Sequence, residues 1–150
     1  MQVSFTSVCS STRNITNYFC RVRFFSKEII LFREDLQQKM RRHCLVQPNN
    51  TFQIHEHLVT TIIANEHLCP LPLTAQPIYW QFDAALRLHP TPDAIVLADK
   101  CEAYEARREG SLCFNPSAFP IDYCFVCYKP LADSLDWKKI PSGESIDDLS

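Results

Sequence analysis

Glycine is nearly missing from this chain: two residues in 150, against ten prolines. A loop that cradles phosphate with its backbone N–H groups needs several glycines close together. Walker-type and dinucleotide-binding chemistry are therefore excluded within the chain. Tight turns are left to Asn, Asp and Pro. A basic surplus is missing as well. The formal net charge is -2, so any contact with nucleic acid has to come from a local patch. The longest apolar run is six residues, Tyr123–Tyr128, far short of the ~20 that a membrane helix requires. No basic start followed by an apolar run opens the chain, so no secretory signal is visible and a reducing, intracellular setting is expected. In that setting the eight cysteines read as free thiols packed as small apolar groups.

What is present is ordinary for one globular domain: 46% hydrophobic and 21% charged residues. Residues 1–14 are Ser/Thr-rich without periodicity and are expected to be poorly ordered. Residues 20–25 alternate Val22 and Phe24 with Arg21 and Arg23, the pattern of a half-buried strand, and Ile29–Phe32 is a short continuous apolar strand. Leu36, Met40 and Cys44 then fall at helical spacing. Glu34 and Asp35 stand first and Lys39, Arg41 and Arg42 last, as the helix dipole prefers, which predicts a helix over 33–44. A second helix is predicted over 54–64 from Ile54, Leu58, Ile62 and Ile63, with Asn65 able to cap its end. A proline-rich connection leads to the aromatic stretch Ile78-Tyr79-Trp80-Gln81-Phe82. Pro90 and Pro92 punctuate the start of a strand at Ala94–Ala98, and further strands are predicted at Leu112–Phe114 and Tyr123–Tyr128. The domain is placed at 15–131, and residues 132–150, rich in charge and Ser, are expected to form a loose tail. The sum is a mixed α/β layer structure.

Several clusters could carry chemistry. His55 and His57 lie on a predicted helix, where side chains two apart point about 200° away from each other and cannot share a metal. His67 and Cys69 supply two local donors of the four that a zinc site wants. Cys124 and Cys127 have zinc-knuckle spacing, but in a strand an odd separation puts them on opposite faces. No nucleophile is placed beside a base. Lys39, Arg41 and Arg42 are candidates for contact with phosphate, although a helix C-terminus favours such residues anyway. Tyr79, Trp80 and Phe82 are either partner anchors or core residues.

Three stretches, "IILFREDLQQKMRR", "HLCPLPLTAQPIYWQFDAALRLHPTPDAIVLADK" and "CFNPSAFP", resemble the B-subunit family of the replicative DNA polymerases alpha, delta and epsilon, its epsilon members in particular. The resemblance spans about residues 16–139 and implies the C-terminal part of a calcineurin-like metallophosphoesterase fold that is catalytically degenerate. Where active relatives carry Gly-Asn-His, this chain has Tyr18-Phe19-Cys20-Arg21. A second ligand position is taken by Phe32 and Arg33, and the closing Gly-His-x-His by Ala98, Asp99, Lys100 and Cys101. A two-metal centre holds its cations with Asp, Asn and His, and Arg33 and Lys100 repel them. The resemblance thus implies a non-catalytic nuclear scaffold without a cofactor. Its implied partners are the cysteine-rich C-terminal region of the catalytic subunit and other replisome subunits, with DNA met weakly or indirectly. The alternative is a residual metal-dependent phosphoesterase acting on nucleic-acid ends. "NPGSF" of the family becomes Asn115-Pro116-Ser117-Ala118-Phe119, losing a glycine at a turn. As half of a sandwich-like domain, the piece is expected to expose sheet edges and apolar faces and to be marginal alone.

Overall fold

The computed structural model describes residues 19–46 and 53–140. Strands β1 (Phe19–Phe24) and β2 (Lys27–Phe32) form an antiparallel hairpin, with Phe19 opposite Phe32 and Phe24 opposite Lys27. After β2 the chain leaves the sheet for three helices: α1 (Leu36–His43), α2 (Ile54–Ala64) and α3 (Trp80–Leu86). It returns as β3 (Ala94–Leu97), parallel to β2, and then makes the hairpin of β4 (Tyr104–Arg108) and β5 (Ser111–Asn115). β5 lies parallel to β3, so the five-stranded mixed sheet runs β1-β2-β3-β5-β4. A short turn of helix, α4 (Phe119–Asp122), leads into a separate two-stranded hairpin of β6 (Cys124–Lys129) and β7 (Ser134–Lys139). No described helix is long and apolar enough to cross a membrane.

Side-chain alternation divides the sheet into two faces. Ile30 and Phe32 of β2, Ile95 and Leu97 of β3, Cys113 of β5 and Tyr104 of β4 point to the helices. There they join Leu36, Leu58, Val59, Ile62, Ile63 and Leu86 in one buried cluster. Each fully buried aliphatic side chain in it is worth roughly 1.5–3 kcal/mol. The opposite face carries Ile29, Leu31, Val96 and Phe114, which line a groove with Phe125, Val126 and Tyr128 of the β6–β7 hairpin. The hairpin is tied to the sheet edge by Arg107, whose guanidinium reaches Asp133 at 2.5 Å, and Tyr128 donates to the same carboxylate at 3.1 Å. Leu31 stays 42% exposed on that face. Both edge strands carry charge outward: Arg21 and Arg23 on β1, Glu105, Arg107 and Arg108 on β4. Such charges discourage edge-to-edge pairing.

Most predicted elements form within a residue or two of their expected bounds. The first helix is shorter than its pattern, because Arg33–Asp35 are still carrying the chain off β2. Ser134–Lys139, expected as part of an aperiodic tail, form β7. The strand uses the alternation of Leu135 and Trp137 with Asp136 and Lys138. The expectation for residues 1–14 lies outside the described residues. Turn chemistry also departs from expectation. Phe25, Glu66, Glu109, Ser117, Tyr123 and Asp133 all take positive φ, with Gly110 the glycine that does so. A side chain in that region costs about 1–2 kcal/mol. With so little glycine available, the fold places side chains as large as Phe25 and Tyr123 at such turns, while Asp133 is a residue type expected there. Ser117 is the position where the "NPGSF" glycine is displaced, and it reaches φ 68°.

Candidate functional site

The carboxyl ends of β2, β3 and β5 lie side by side, the place where open α/β sheets ordinarily hold ligands. A cavity of about 760 Å³ opens there, lined among others by Gln37, His55, Lys100, Cys101, Tyr104 and Ser117. Of the sequence-derived ligand positions, Phe32 ends β2 beside Ala98 and Asp99, Arg21 instead pairs with Glu28, and Tyr18 lies outside the described residues. Phe32 belongs to the core, 3% exposed, while Arg33 faces solvent.

Asp99 lies two residues past the end of β3 and is 4% exposed. Its Oδ2 accepts the backbone N–H of Gln37 at 3.1 Å, and its Oδ1 accepts its neighbour's N–H, Lys100, at 2.6 Å. Gln37 is the second residue of α1, whose N-cap residue Asp35 makes no side-chain capping bond. Asp99 therefore satisfies a helix N–H that the local sequence leaves open, acting as a cap supplied from another element. Burial raises its pKa to about 6, with the nearby Asp35 carboxyl adding to the shift and the Gln37 N–H opposing it.

Asn115, at the end of β5, is fully buried and acts as the hub of the corner. Its amide donates to the Asp99 carbonyl at 3.2 Å and to Cys101 Sγ at 2.8 Å, and its oxygen accepts the Ser117 N–H at 3.0 Å. Burial pushes the Cys101 thiol up to about 11, so it stays protonated at neutral pH. Among the described residues no group of three or more His, Cys, Asp and Glu comes together as a metal site. The residues present do not fit a two-metal centre. One carboxylate is engaged by two N–H groups, one thiol is protonated, and the cation of Lys100 lines the same cavity.

The other candidates separate. His55 stacks on Tyr104, ring centroids 4.7 Å apart and planes within 7°. His67 Nδ1 accepts the Cys69 N–H at 3.0 Å, and its Nε2 lies 3.4 Å from Asp83, which Arg87 also holds at 2.9 Å. The pair thus braces the connection to α3, and the Cys69 thiol, pushed up to about 12 by burial, plays no part in it. Cys124 and Cys127 sit in β6 on opposite faces, one half-buried and one exposed. Lys39 is engaged with Glu34 and with the buried Gln76, so it is not available to phosphate. Arg41 and Arg42 are exposed and have no ion-pair partner among the described residues. Tyr79 is 51% and Trp80 77% exposed, while Phe82 is half-buried. The core reading therefore holds in part for Phe82 and fails for the other two. Asn115 and Gln37 are the site residues that sequence reasoning passed over. The one available signal was an Asn closing the apolar run Leu112-Cys113-Phe114.

Residues 5–106 match the family model of the DNA polymerase alpha/epsilon B subunit. The chain is 50% identical over 119 residues to the DNA polymerase epsilon B subunit of Arabidopsis thaliana, covering 78% of this chain and 23% of that protein. It is 45% identical over 122 residues to DNA polymerase epsilon subunit 2 of Homo sapiens, covering 81% and 23%. It is 28% identical over 134 residues to the DNA polymerase epsilon B subunit of Saccharomyces cerevisiae, covering 66% and 19%. The chain thus spans less than a quarter of the length of the relatives it matches.

Proposed function

The chain belongs to the DNA polymerase alpha/epsilon B-subunit family, whose members are non-catalytic accessory subunits, and from that membership we propose that it serves as part of a nuclear scaffold in the polymerase epsilon complex. Its task is to bind the C-terminal region of the catalytic subunit in DNA replication. We read the mixed sheet, with helices on one face and a hairpin on the other, as the C-terminal part of a calcineurin-like phosphoesterase layer whose site is extinct. Two observations support extinction: Asp99 caps α1, and Arg33 and Lys100 bring positive charge to the ancestral cation positions. The residual phosphoesterase reading is left with the cavity and with Asp99, a carboxylate already engaged by two N–H groups.

One observation carries the scaffold reading. A tryptophan 77% exposed beside a tyrosine 51% exposed, at the start of α3 and after a proline-rich connection, leaves apolar surface that folding alone does not use. Aromatic residues of that kind concentrate interface energy. The test is co-purification of the full-length protein with the cysteine-rich C-terminal region of the catalytic subunit. Binding that weakens on Trp80→Ala supports the reading, and failure of the intact full-length protein to bind overturns it.

A further inference from the structure

The aromatic patch is not the whole of the apolar surface. A groove of about 330 Å³ runs between α1, α2 and the Pro70–Pro72 connection, lined chiefly by Met40, Arg41, Val46, Leu58, Leu71 and Pro72. That volume is at the lower end of the range for ligand-binding clefts. Two properties set it apart. Val46, at its margin, is 82% exposed, so an apolar wall stands open to solvent. No carboxylate lines the groove among the described residues. Its fixed charge comes from Arg41, with Arg42 beside it in sequence, and neither has an ion-pair partner among the described residues. In a chain of net charge -2 this is a local excess of positive charge over an apolar floor.

We propose that the groove between α1, α2 and Pro70–Pro72 docks an acidic peptide that buries apolar side chains against Met40, Leu58 and Leu71 and places its carboxylates on Arg41 and Arg42. The mode is that of an amphipathic segment laid in a groove, with charge setting its register. Nucleic acid fits less well: a sugar-phosphate backbone has nothing to bury on Met40, Leu58 and Leu71, and Lys39, the third base of the cluster, is held by Glu34 and Gln76. The proposal is independent of the aromatic patch and of the polymerase partner.

A display library of random peptides of about twelve residues, some three helical turns, is panned on the folded 150-residue chain. The selected peptides are synthesised and their binding measured by fluorescence anisotropy, with single-stranded DNA as competitor. The expected result is enrichment of peptides combining Asp or Glu with Leu, Ile or Phe. Their affinity should fall about tenfold or more with the paired changes Arg41→Glu and Arg42→Glu, and again with Val46→Asp, while Trp80→Ala leaves it unchanged. Arg41 and Val46 of the groove and the neighbouring Arg42 are all exposed, so folding is preserved, and matching thermal transitions check that. Three outcomes would overturn the proposal: no enrichment, selected peptides without acidic residues, or binding indifferent to the charge reversal. Displacement of the peptide by stoichiometric DNA would overturn it in favour of a nucleic-acid site.

Discussion

The carboxyl ends of the parallel strands and the segment from Pro70 to Leu86 are opposite in what they leave unsatisfied. At the strand ends polar groups are buried and bonded to one another: Asp99 to α1, Asn115 to Asp99, Cys101 and Ser117. Along the other segment large apolar groups, Leu73, Tyr79 and Trp80, stand in solvent. An enzyme keeps reactive polar groups free at a cleft, whereas a scaffold keeps apolar groups free at a surface. By that standard, the corner serves as internal support, and the proline-braced segment is the part with apolar surface to offer.

The strongest way to break this contrast is at its buried pole. Asn115→Ala deletes the amide that serves Asp99, Cys101 and Ser117 in a fully buried position. Unmatched buried polar groups cost about 1–3 kcal/mol each, so a loss of about 3 kcal/mol is expected, read by chemical denaturation. A variant as stable as the parent would mean that the corner is loose rather than structural. At the exposed pole, Trp80→Ala should leave the melting temperature within a degree or two of the parent, since the ring is 77% exposed. It should weaken binding of the full-length protein to the catalytic subunit's C-terminal region by roughly 30-fold, the effect of a ~2 kcal/mol anchor. Reversed outcomes, with Trp80 needed for stability and not for binding, would invert the assignment of the two regions.

The corner also has a pH signature with a definite sign. Burial, reinforced by Asp35, raises Asp99 from 3.8 to about 6 in the folded chain. Between about pH 4 and 6 the folded state holds a proton that the unfolded chain has released. Stability contributed by this group is therefore present at low pH, falls as pH rises through that window, and is level above it. Asp83, Asp93, Asp133 and Asp136 act in the opposite sense. Their partners Arg87, Lys27, Arg107 and Lys138 hold their pKa values below the usual range, and that stability is lost as pH falls. The difference between parent and Asp99→Asn isolates the first group. Asparagine offers one oxygen where the carboxylate offers two, so the Gln37 or the Lys100 N–H loses its acceptor, and the variant's stability should lack the fall between about pH 4 and 6 that the parent shows. An identical pH profile for the two proteins would remove Asp99 from the account.

Much of the architecture was legible in the chain, and the failures have physical causes. The α2 helix, β2 and β3 announce themselves because apolar periodicity and proline punctuation coincide with burial. β4, Tyr104–Arg108, does not. It is an edge strand whose outward residues are charged, so its pattern resembles a loop. α3 hides behind an aromatic run that reads equally as strand. Its helical state is supported from outside by the His67 and Asp83 contacts and by the Leu68 N–H donating to the Leu86 carbonyl at 2.9 Å. The corner was less legible: the role of Asp99 requires knowing that α1 starts beneath it, a contact 62 residues apart in the chain.

The basic cluster on α1 shows the same division at single-residue scale and gives the smallest expected effect. Lys39, Arg41 and Arg42 look equivalent in sequence, all near the end of a helix. In the fold Lys39 turns inward, bonding Glu34 and the Gln76 side chain, which is 8% exposed, while Arg41 and Arg42 face solvent. Lys39→Ala should therefore cost about 1 kcal/mol, because Gln76 loses the donor to its carbonyl oxygen in a buried setting. It should leave binding of an acidic peptide unchanged. Arg41→Ala with Arg42→Ala should show the reverse, with stability held to within about 0.5 kcal/mol and the salt dependence of peptide binding diminished. Measuring both variants by denaturation and by anisotropy across a salt series separates the two roles. If Lys39→Ala weakens binding as much as the arginine pair does, the inward turn of Lys39 is not what divides the cluster, and all three bases act as one positive surface.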